Sequence, residues 1–208
     1  MNIRRVFSVT FAVLMAAVVS AGCGVKEGDA GNVAPMSSQP NSARAAAPGG
    51  DTGSTGSAPR VDRPLNPAPL LTDACAALSP SQLSTLGLRA GKPRTIETGK
   101  TCSWRYADGT SNTVNISAIE PNKNGLSDIY EQGEQKAYFE PTQIAGYPAV
   151  YADITDDRFR GRCALDVGVT DHLAVFILTQ LDDGNDARKP CPVADKIAAA
   201  MIETLKKG

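Results

Sequence analysis

Histidine and aromatic residues are scarce in this sequence, and their scarcity narrows the chemistry available to it. There is one histidine, His172, one tryptophan, Trp104, and an aromatic content of 5%. His172 lies in a predicted hairpin turn, where we expect a solvated side chain rather than a general base. No GxSxG nucleophile elbow, SxxK, HExxH or phosphate-binding glycine loop accompanies it. We therefore predict that the protein is not an enzyme.

An excess of positive charge and a metal-binding cysteine pattern are also missing. The chain has 21 basic and 22 acidic residues, for a net charge of −1, which argues against a nucleic-acid partner. It contains no CxxC pair, as a zinc site would favour. Two aspartate clusters that could hold a hard cation lack EF-hand spacing; they are Asp153, Asp156 and Asp157, and Asp182, Asp183 and Asp186. We predict no metal and no cofactor.

The longest apolar run near the start is too short to span a membrane. Residues 6–19 form a stretch of fourteen residues, whereas a transmembrane helix needs about 20. The run follows Arg4 and Arg5 and leads through small residues to Cys23, the layout of a bacterial lipoprotein signal. We predict that residues 1–22 are a removed signal peptide and that Cys23 carries lipid. An uncleaved anchor is the alternative, and both Sec and twin-arginine export stay open.

The next segment has the composition of a tether. Residues 24–70 contain seven prolines, seven glycines and no aromatic residue, so they bury too little apolar surface to offset the entropy of ordering. We predict a disordered, lipid-anchored linker over residues 23–70 and one globular domain over residues 71–208. Ser20 occupies a position where the lipid-attachment motif usually has an aliphatic residue, but the tether after Cys23 supports the assignment.

The predicted domain mixes strands with a few helices. Ser79, Pro80 and Gln82 have the spacing of a capping box at a helix start. Alternating apolar residues predict strands near residues 102–106, 113–119 and 163–169. A turn signal predicts a short strand near 147–151, and a run that is apolar on both faces predicts a central strand over 173–181. A helix rich in apolar residues follows Pro192. We therefore predict an α+β fold: a mainly antiparallel sheet of about five strands packed by two or three helices, with Trp104 in its core.

The cysteine count suggests two disulfides. Assigning Cys23 to lipid leaves an even number of cysteines in an exported domain; they are Cys75, Cys102, Cys163 and Cys191. Three connectivities exist. We prefer the two sequential pairs, 75 with 102 and 163 with 191, because each joins a helix edge to a neighbouring strand. Zinc is the less favoured alternative.

Three arginines form the most unusual polar feature of the sequence. Arg158, Arg160 and Arg162 alternate with Phe159 and Gly161. An extended chain would place the three guanidinium groups on one face, where they could bind an anionic wall polymer or a phosphate. We treat this as a candidate anion-binding site, although Asp156 and Asp157 are close enough to neutralise it.

The motifs around the cysteines resemble a known family. Residues 73–79, 86–88, 102–104, 146–149 and 191–194, together with the Cys163 strand, are similar to an actinobacterial lipoprotein family called DUF3558, a domain of unknown function. The resemblance covers about residues 70–207 and the leader, and departs at Ala74, where the family often has proline. It implies a secreted, lipid-anchored domain with disulfides and supplies no catalytic residues.

Two classes of function follow from these features. The first is a non-enzymatic interaction or structural module at the extracellular face of the cell membrane, held by the lipid on Cys23 and contacting an envelope protein or an anionic wall polymer. The second is a ligand-binding or sensory lipoprotein, which requires a pocket between sheet and helices. A filled core or a cavity distinguishes these two classes.

Overall fold

Seven strands form one antiparallel sheet in the computed structural model, which describes residues 58–208. The strands run in the order β1-β2-β3-β7-β6-β5-β4, and each pair of neighbours is antiparallel. Their bounds are β1 Lys92–Ile96, β2 Gly99–Arg105, β3 Thr113–Ala118, β4 Tyr138–Ile144, β5 Tyr147–Asp153, β6 Arg162–Thr170 and β7 Leu173–Gln180.

Four α-helices accompany the sheet within the described residues. They are α1 Ala68–Thr72, α2 Pro80–Thr85, α3 Ser127–Tyr130 and α4 Pro190–Leu205. Short 3-10 turns lie at Ala74–Ala77, Gly133–Gln135, Arg158–Arg160 and Asn185–Arg188. Among these residues no helix is long and apolar enough to cross a bilayer.

The antiparallel α+β prediction is confirmed, but its numbers of strands and helices were too low. The five predicted strands are all present, and the two additional ones, β1 and β4, are the two edges of the sheet. Each edge strand contains a proline, Pro93 or Pro141, which lacks a backbone donor and is tolerated where no further strand pairs. All five residues of β1 are exposed, so β1 has no apolar alternation by which the sequence could reveal it.

The predicted capping box at α2 is present. The Ser79 hydroxyl accepts from the Gln82 backbone N–H at 3.4 Å, and the Gln82 side chain accepts from the Ser79 N–H at 2.7 Å. Gly87 follows the helix with φ of 66°, a conformation that glycine adopts at little cost. The Gln82 amide also donates to the carbonyl of Ala200 in α4 at 2.7 Å, so the capped helix is attached to α4.

One face of the sheet, here called the covered face, packs against α4. Helix α4 begins at Pro190, two positions earlier than predicted, and turns apolar residues at helical spacing toward the strands. They meet the inward residues of the central strands, and the largest fully buried side chains here include Trp104, Ile177, Ile197 and Met201. The prediction that Trp104 is a core residue is confirmed, since it has 0% exposure.

Both preferred disulfides are present on the covered face. Cys75 joins Cys102 of β2, and Cys163 of β6 joins Cys191 at the start of α4. Their Cα atoms are 5.0 Å and 5.2 Å apart, within the usual range for a disulfide. The two bonds therefore attach the first 3-10 turn and the last helix to neighbouring strands.

The domain includes part of the segment that was predicted to be linker. Val61, Leu65 and Leu70 are buried in the core, and the Leu65 N–H donates to the carbonyl of Val169 at 2.9 Å. The predicted linker ran to residue 70, but residues 58–70 lie against the sheet because these three apolar side chains find a surface to cover. The remainder, residues 23–57, lies outside the described residues.

The opposite face of the sheet is only partly covered. A small cluster built on Leu126, Ile129 and Tyr130 packs over Val150 of β5 and Ala174 of β7. Helix α3 spans only Ser127–Tyr130. Because it covers one side alone, the sheet beyond it is left open, and we call this the groove face.

Candidate functional site

A groove of about 510 Å³ runs across the groove face. Its floor consists of side chains from β1, β2, β3, β7 and β6, and Ile129 of α3 and Lys136 contribute to its lining. The strands present these side chains because alternate residues point to opposite faces of a sheet. The residues that fill the covered face and those that line the groove are therefore neighbours in sequence.

Five groove residues lie in one row across the sheet. The register pairs Arg94 of β1 with Thr101, Thr101 with Ser117, Ser117 with Phe176, and Phe176 with Asp166 of β6. Four strand spacings separate the ends of this row, so the backbones of the first and last residues are about 19 Å apart. We call these five residues the cross-strand row; it has a guanidinium at one end and a carboxyl at the other.

The middle of the cross-strand row changes from polar to apolar. Thr101 and Ser117 are both buried, and their hydroxyl groups hydrogen-bond to each other. The next residue, Phe176, is partly exposed and lies beside Leu178 along β7. Ile119, Ile129 and Ala152 extend the apolar part of the lining. From Arg94 toward Asp166, the row thus passes two hydroxyl groups and then an apolar side chain.

Asp166 is the most unusual residue of the groove. It is 4% exposed, and its Oδ1 atom has no hydrogen-bond partner among the described residues. Burial raises the pKa of its carboxyl to about 7, while Lys136 opposes the increase and Asp153 adds to it. A buried polar group normally has a partner, and a buried acid with a shifted pKa in a groove indicates a functional site.

The arginine segment does not have the geometry on which the anion-binding prediction depended. Arg158–Arg160 form a 3-10 turn rather than an extended strand. Gly161 ends the turn with φ of 80°, and a Cβ there would lie 1.9 Å from the Leu181 carbonyl oxygen. Only Arg162 begins a strand, β6. The three side chains therefore do not lie along one face with period two.

Each of the three arginines has acidic neighbours. Arg158 pairs with Asp156 at 2.7 Å and with Glu140 at 2.8 Å, and its guanidinium lies 4.1 Å from the centroid of the Tyr138 ring. The Arg160–Asp157 and Arg162–Asp153 pairs measure 3.8 Å and 3.2 Å. The hydrogen bond from Arg158 is the largest cause that lowers the pKa of Asp156. The pairs occupy the charges that an external anion would need, and anion binding here stays a prediction.

His172 and the aspartate cluster 182, 183 and 186 lie apart from the groove, whereas Asp153 of the other cluster lines it. His172 is exposed in the β6–β7 turn, with Nδ1 3.1 Å from the Lys123 carbonyl oxygen. Within residues 58–208 no group of three or more histidine, cysteine or acidic side chains is arranged to hold a metal ion. Cys23 and the leader lie outside the described residues, so lipidation stays a prediction.

Sequence reasoning missed the groove. Its strongest signal was Asp166, the single charged residue within the otherwise apolar stretch 163–169. A charge at such a position is rarely buried unless it has a partner or a function. The cross-strand row has no comparable signal, because its members come from five strands that the register alone aligns.

The fold and the groove define a disulfide-linked sheet domain with one filled face and one open face. The model of a family described as protein of unknown function, DUF3558, matches residues 18–204. The chain belongs to this family. No curated protein and no solved structure matches the chain.

Proposed function

We propose that this protein is an exported, non-enzymatic lipoprotein that binds a small amphipathic ligand in the groove. The leader pattern supports lipid attachment at Cys23, which would hold the domain at the extracellular face of the cell membrane. The two disulfides support export, since such bonds persist in oxidising compartments and are rare in the cytosol.

The observation that carries ligand binding is the open groove with the unpartnered carboxyl of Asp166. Ligand sites are typically concave, mostly apolar and about 300–1,000 Å³ in volume, with a few placed polar groups. The groove is about 510 Å³ and combines the side chains of Phe176 and Leu178 with one buried acid. Its position differs from the expected pocket between sheet and long helix, because that space is filled by the apolar face of α4.

A fluorescent reporter tests ligand binding directly. N-phenyl-1-naphthylamine is neutral and apolar and brightens when it leaves water. We would titrate it against the chain carrying Cys23→Ser, which removes the lipidation site, and against the same chain with Phe176→Ser. We expect the groove variant to weaken reporter binding at least about tenfold, in line with the 1.5–3 kcal/mol of a buried apolar side chain.

Phe159→Ser is the matched control for this experiment. Phe159 is 72% exposed on the 3-10 turn Arg158–Arg160, outside the groove, so its loss removes the same phenyl group from another surface. Reporter binding should be unchanged in this variant. Equal binding by the two serine variants, or no binding by the parent chain, would reject the groove as a ligand site.

The lipid anchor has a separate test. Mass spectrometry of the membrane-extracted protein should find an acylated Cys23 at the new N-terminus, and Cys23→Ser should release the domain from the membrane fraction. An unmodified Cys23 in that fraction would overturn the anchoring proposal without affecting the groove.

An interaction module is the second candidate, and one surface feature favours it. Phe159 and Ile154 are 72% and 70% exposed in the connection between β5 and β6, where the pairs of Arg158 hold the chain. Contiguous exposed apolar patches mark sites of protein contact, and these two side chains would be part of such a patch. A photocrosslinking side chain at position 159 should then capture one envelope protein in intact cells, and capture should fail from position 182.

A further inference from the structure

The carboxyl of Asp166 lies where a ligand group could contact it. It is on the groove face of β6 and lines the groove, and Oδ1 is buried without a partner among the described residues. Leaving such an atom unpaired is unfavourable, because it has lost its hydrogen bonds to water. A donor brought by a ligand would recover that free energy, and the donor must enter through the groove.

The protein groups around Asp166 do not supply this donor. Its cross-strand neighbours, Val150 of β5 and Phe176 of β7, are apolar, and Ile129 of α3 is the nearby helical residue of the lining. The charged groups that influence it are Lys136 and Asp153. Asp153 is paired with Arg162, and Lys136 forms no ion pair within 4 Å in the described residues.

We propose that the ligand is an amphipathic amine whose protonated nitrogen donates to Asp166 while its apolar chain lies over Phe176 and Leu178. This inference rests on the proposed function, because it names the chemical class that the groove accepts. An ammonium satisfies an acceptor-only carboxylate and neutralises its charge in the same contact. A carboxylate or phosphate ligand has acceptor oxygens only and would offer no donor to this carboxylate.

The rest of the cross-strand row limits how the amine lies. From Asp166 the row leads across Phe176 to the hydroxyl groups of Ser117 and Thr101. Those two groups begin two strand spacings away, about 10 Å. The apolar part of the ligand is therefore short, and the hydroxyl-bearing part of the row accepts a polar group at its far end.

Competition against the bound reporter tests this assignment. Octylammonium, 1-octanol and octanoate share a chain and differ in the head group. We would measure how much of each displaces N-phenyl-1-naphthylamine from the chain with Cys23→Ser. We expect octylammonium to displace the reporter at a concentration at least about tenfold lower than octanol, the size of a charge-assisted hydrogen bond, and octanoate to be the weakest of the three.

Asp166→Asn should abolish the preference for the amine. The variant keeps the shape of the side chain and loses the charge, so octylammonium should then compete no better than octanol when both are referenced to the affinity of the same variant for the reporter. Asp182→Asn is the control, since Asp182 is exposed and outside the groove. Its head-group preference should match that of the parent chain.

The pH dependence gives a second readout. Octylammonium stays protonated across this range, whereas the pKa of Asp166 is about 7. The affinity for octylammonium should rise about tenfold from pH 6 to pH 8 as the carboxyl ionises, and the affinity for octanol should stay constant. Lys136, Asp153 and Arg162 are the other charged groups near this carboxyl.

The outcomes separate the two proposals. Failure of the reporter to bind in the groove would reject the proposed function. Reporter binding with equal competition by octylammonium and octanol, or with a preference that survives in Asp166→Asn, would overturn the amine assignment and leave the groove as a ligand site.

Discussion

The two faces of the sheet are built from the same strands but differ in how far they are covered. On the covered face, Ile177 of β7 packs with Ile197 and Met201 of α4, and all three have 0% exposure. On the groove face, Phe176 and Leu178 of the same strand stay partly exposed. The covered face is filled and held by two disulfides, whereas the groove face keeps an open volume and a carboxyl without a partner.

Under the proposed function, this difference lets one strand contribute to both stability and ligand binding. Since alternate residues point to opposite faces, successive positions in β7 stabilise the core and line the groove in turn. Substitutions one residue apart should therefore have different effects, and the three predictions below measure that separation.

The largest effect should come from removing both disulfides, which lie on the covered face. Replacing Cys75, Cys102, Cys163 and Cys191 by alanine opens loops closed by residues 27 and 28 positions apart. In the chain-entropy model each disulfide stabilises the folded chain by about 3–4 kcal/mol, so losing both should lower the free energy of unfolding by about 7 kcal/mol. Urea unfolding at pH 7 measures this loss. A combined loss below about 2 kcal/mol would show that the packing of α4 holds the covered face without these bonds.

A smaller effect should separate two adjacent residues of β7. Ile177→Ala removes a fully buried side chain and should cost about 3–4 kcal/mol in the free energy of unfolding. Leu178→Ala should cost under about 1 kcal/mol, because that side chain is already partly in water, yet it should weaken reporter binding. Urea unfolding and reporter titration of both variants provide the comparison. Similar costs for the two would remove the distinction between the faces.

The smallest effect concerns Asp166 and depends on pH. Because the pKa of its carboxyl is raised to about 7 when folded, the folded chain binds this proton more tightly than the unfolded chain does. The contribution of Asp166 to the free energy of unfolding is therefore highest below about pH 4 and falls as pH rises to about 7. Asp166→Asn should raise the free energy of unfolding by about 2–3 kcal/mol at pH 8. This is less than the difference between the folded and unfolded pKa values would give, because the buried amide also lacks a hydrogen-bond partner.

At pH 4 the same substitution should bring no gain, since the carboxyl is already neutral. Urea unfolding at both pH values, with Asp182→Asn as the control, tests whether the substitution stabilises the protein and whether it does so only at the higher pH. An equal change at pH 4 and pH 8 would mean that Asp166 is not buried as an isolated acid.

Much of the covered face could be predicted from local patterns. The capping box of Ser79 and Gln82, the alternation in β6, the continuous apolar run of β7 and the helical spacing in α4 each occupy a few consecutive residues, so they are readable without tertiary structure. The edge strands β1 and β4 were missed because their prolines and exposed residues carry no alternation.

The groove could not be predicted in the same way. Asp166 was visible in the sequence as a lone charge in an apolar strand, but the groove beside it was not. The cross-strand row depends on the register of five strands, and the sequence distance between Arg94 and Phe176 gives no hint that they share it. Likewise, the arginine segment was predicted to be extended, but Arg158–Arg160 form a 3-10 turn whose arginines pair with acidic neighbours.

By itself the sequence determined the antiparallel α+β class, the central strands, the long last helix and a cysteine count that suits two disulfides, because each depends on short-range periodicity or on a count. The preferred pairing was one of three possible connectivities, and the tertiary structure selected it. The leader and Cys23 are read from sequence alone, and they still await their test. Only the tertiary structure decided which face α4 fills, where α3 stops and which side chains the open face brings together. The physical reason is that strand register and helix coverage arise from contacts between distant segments, and these contacts leave Asp166 buried beside an open groove.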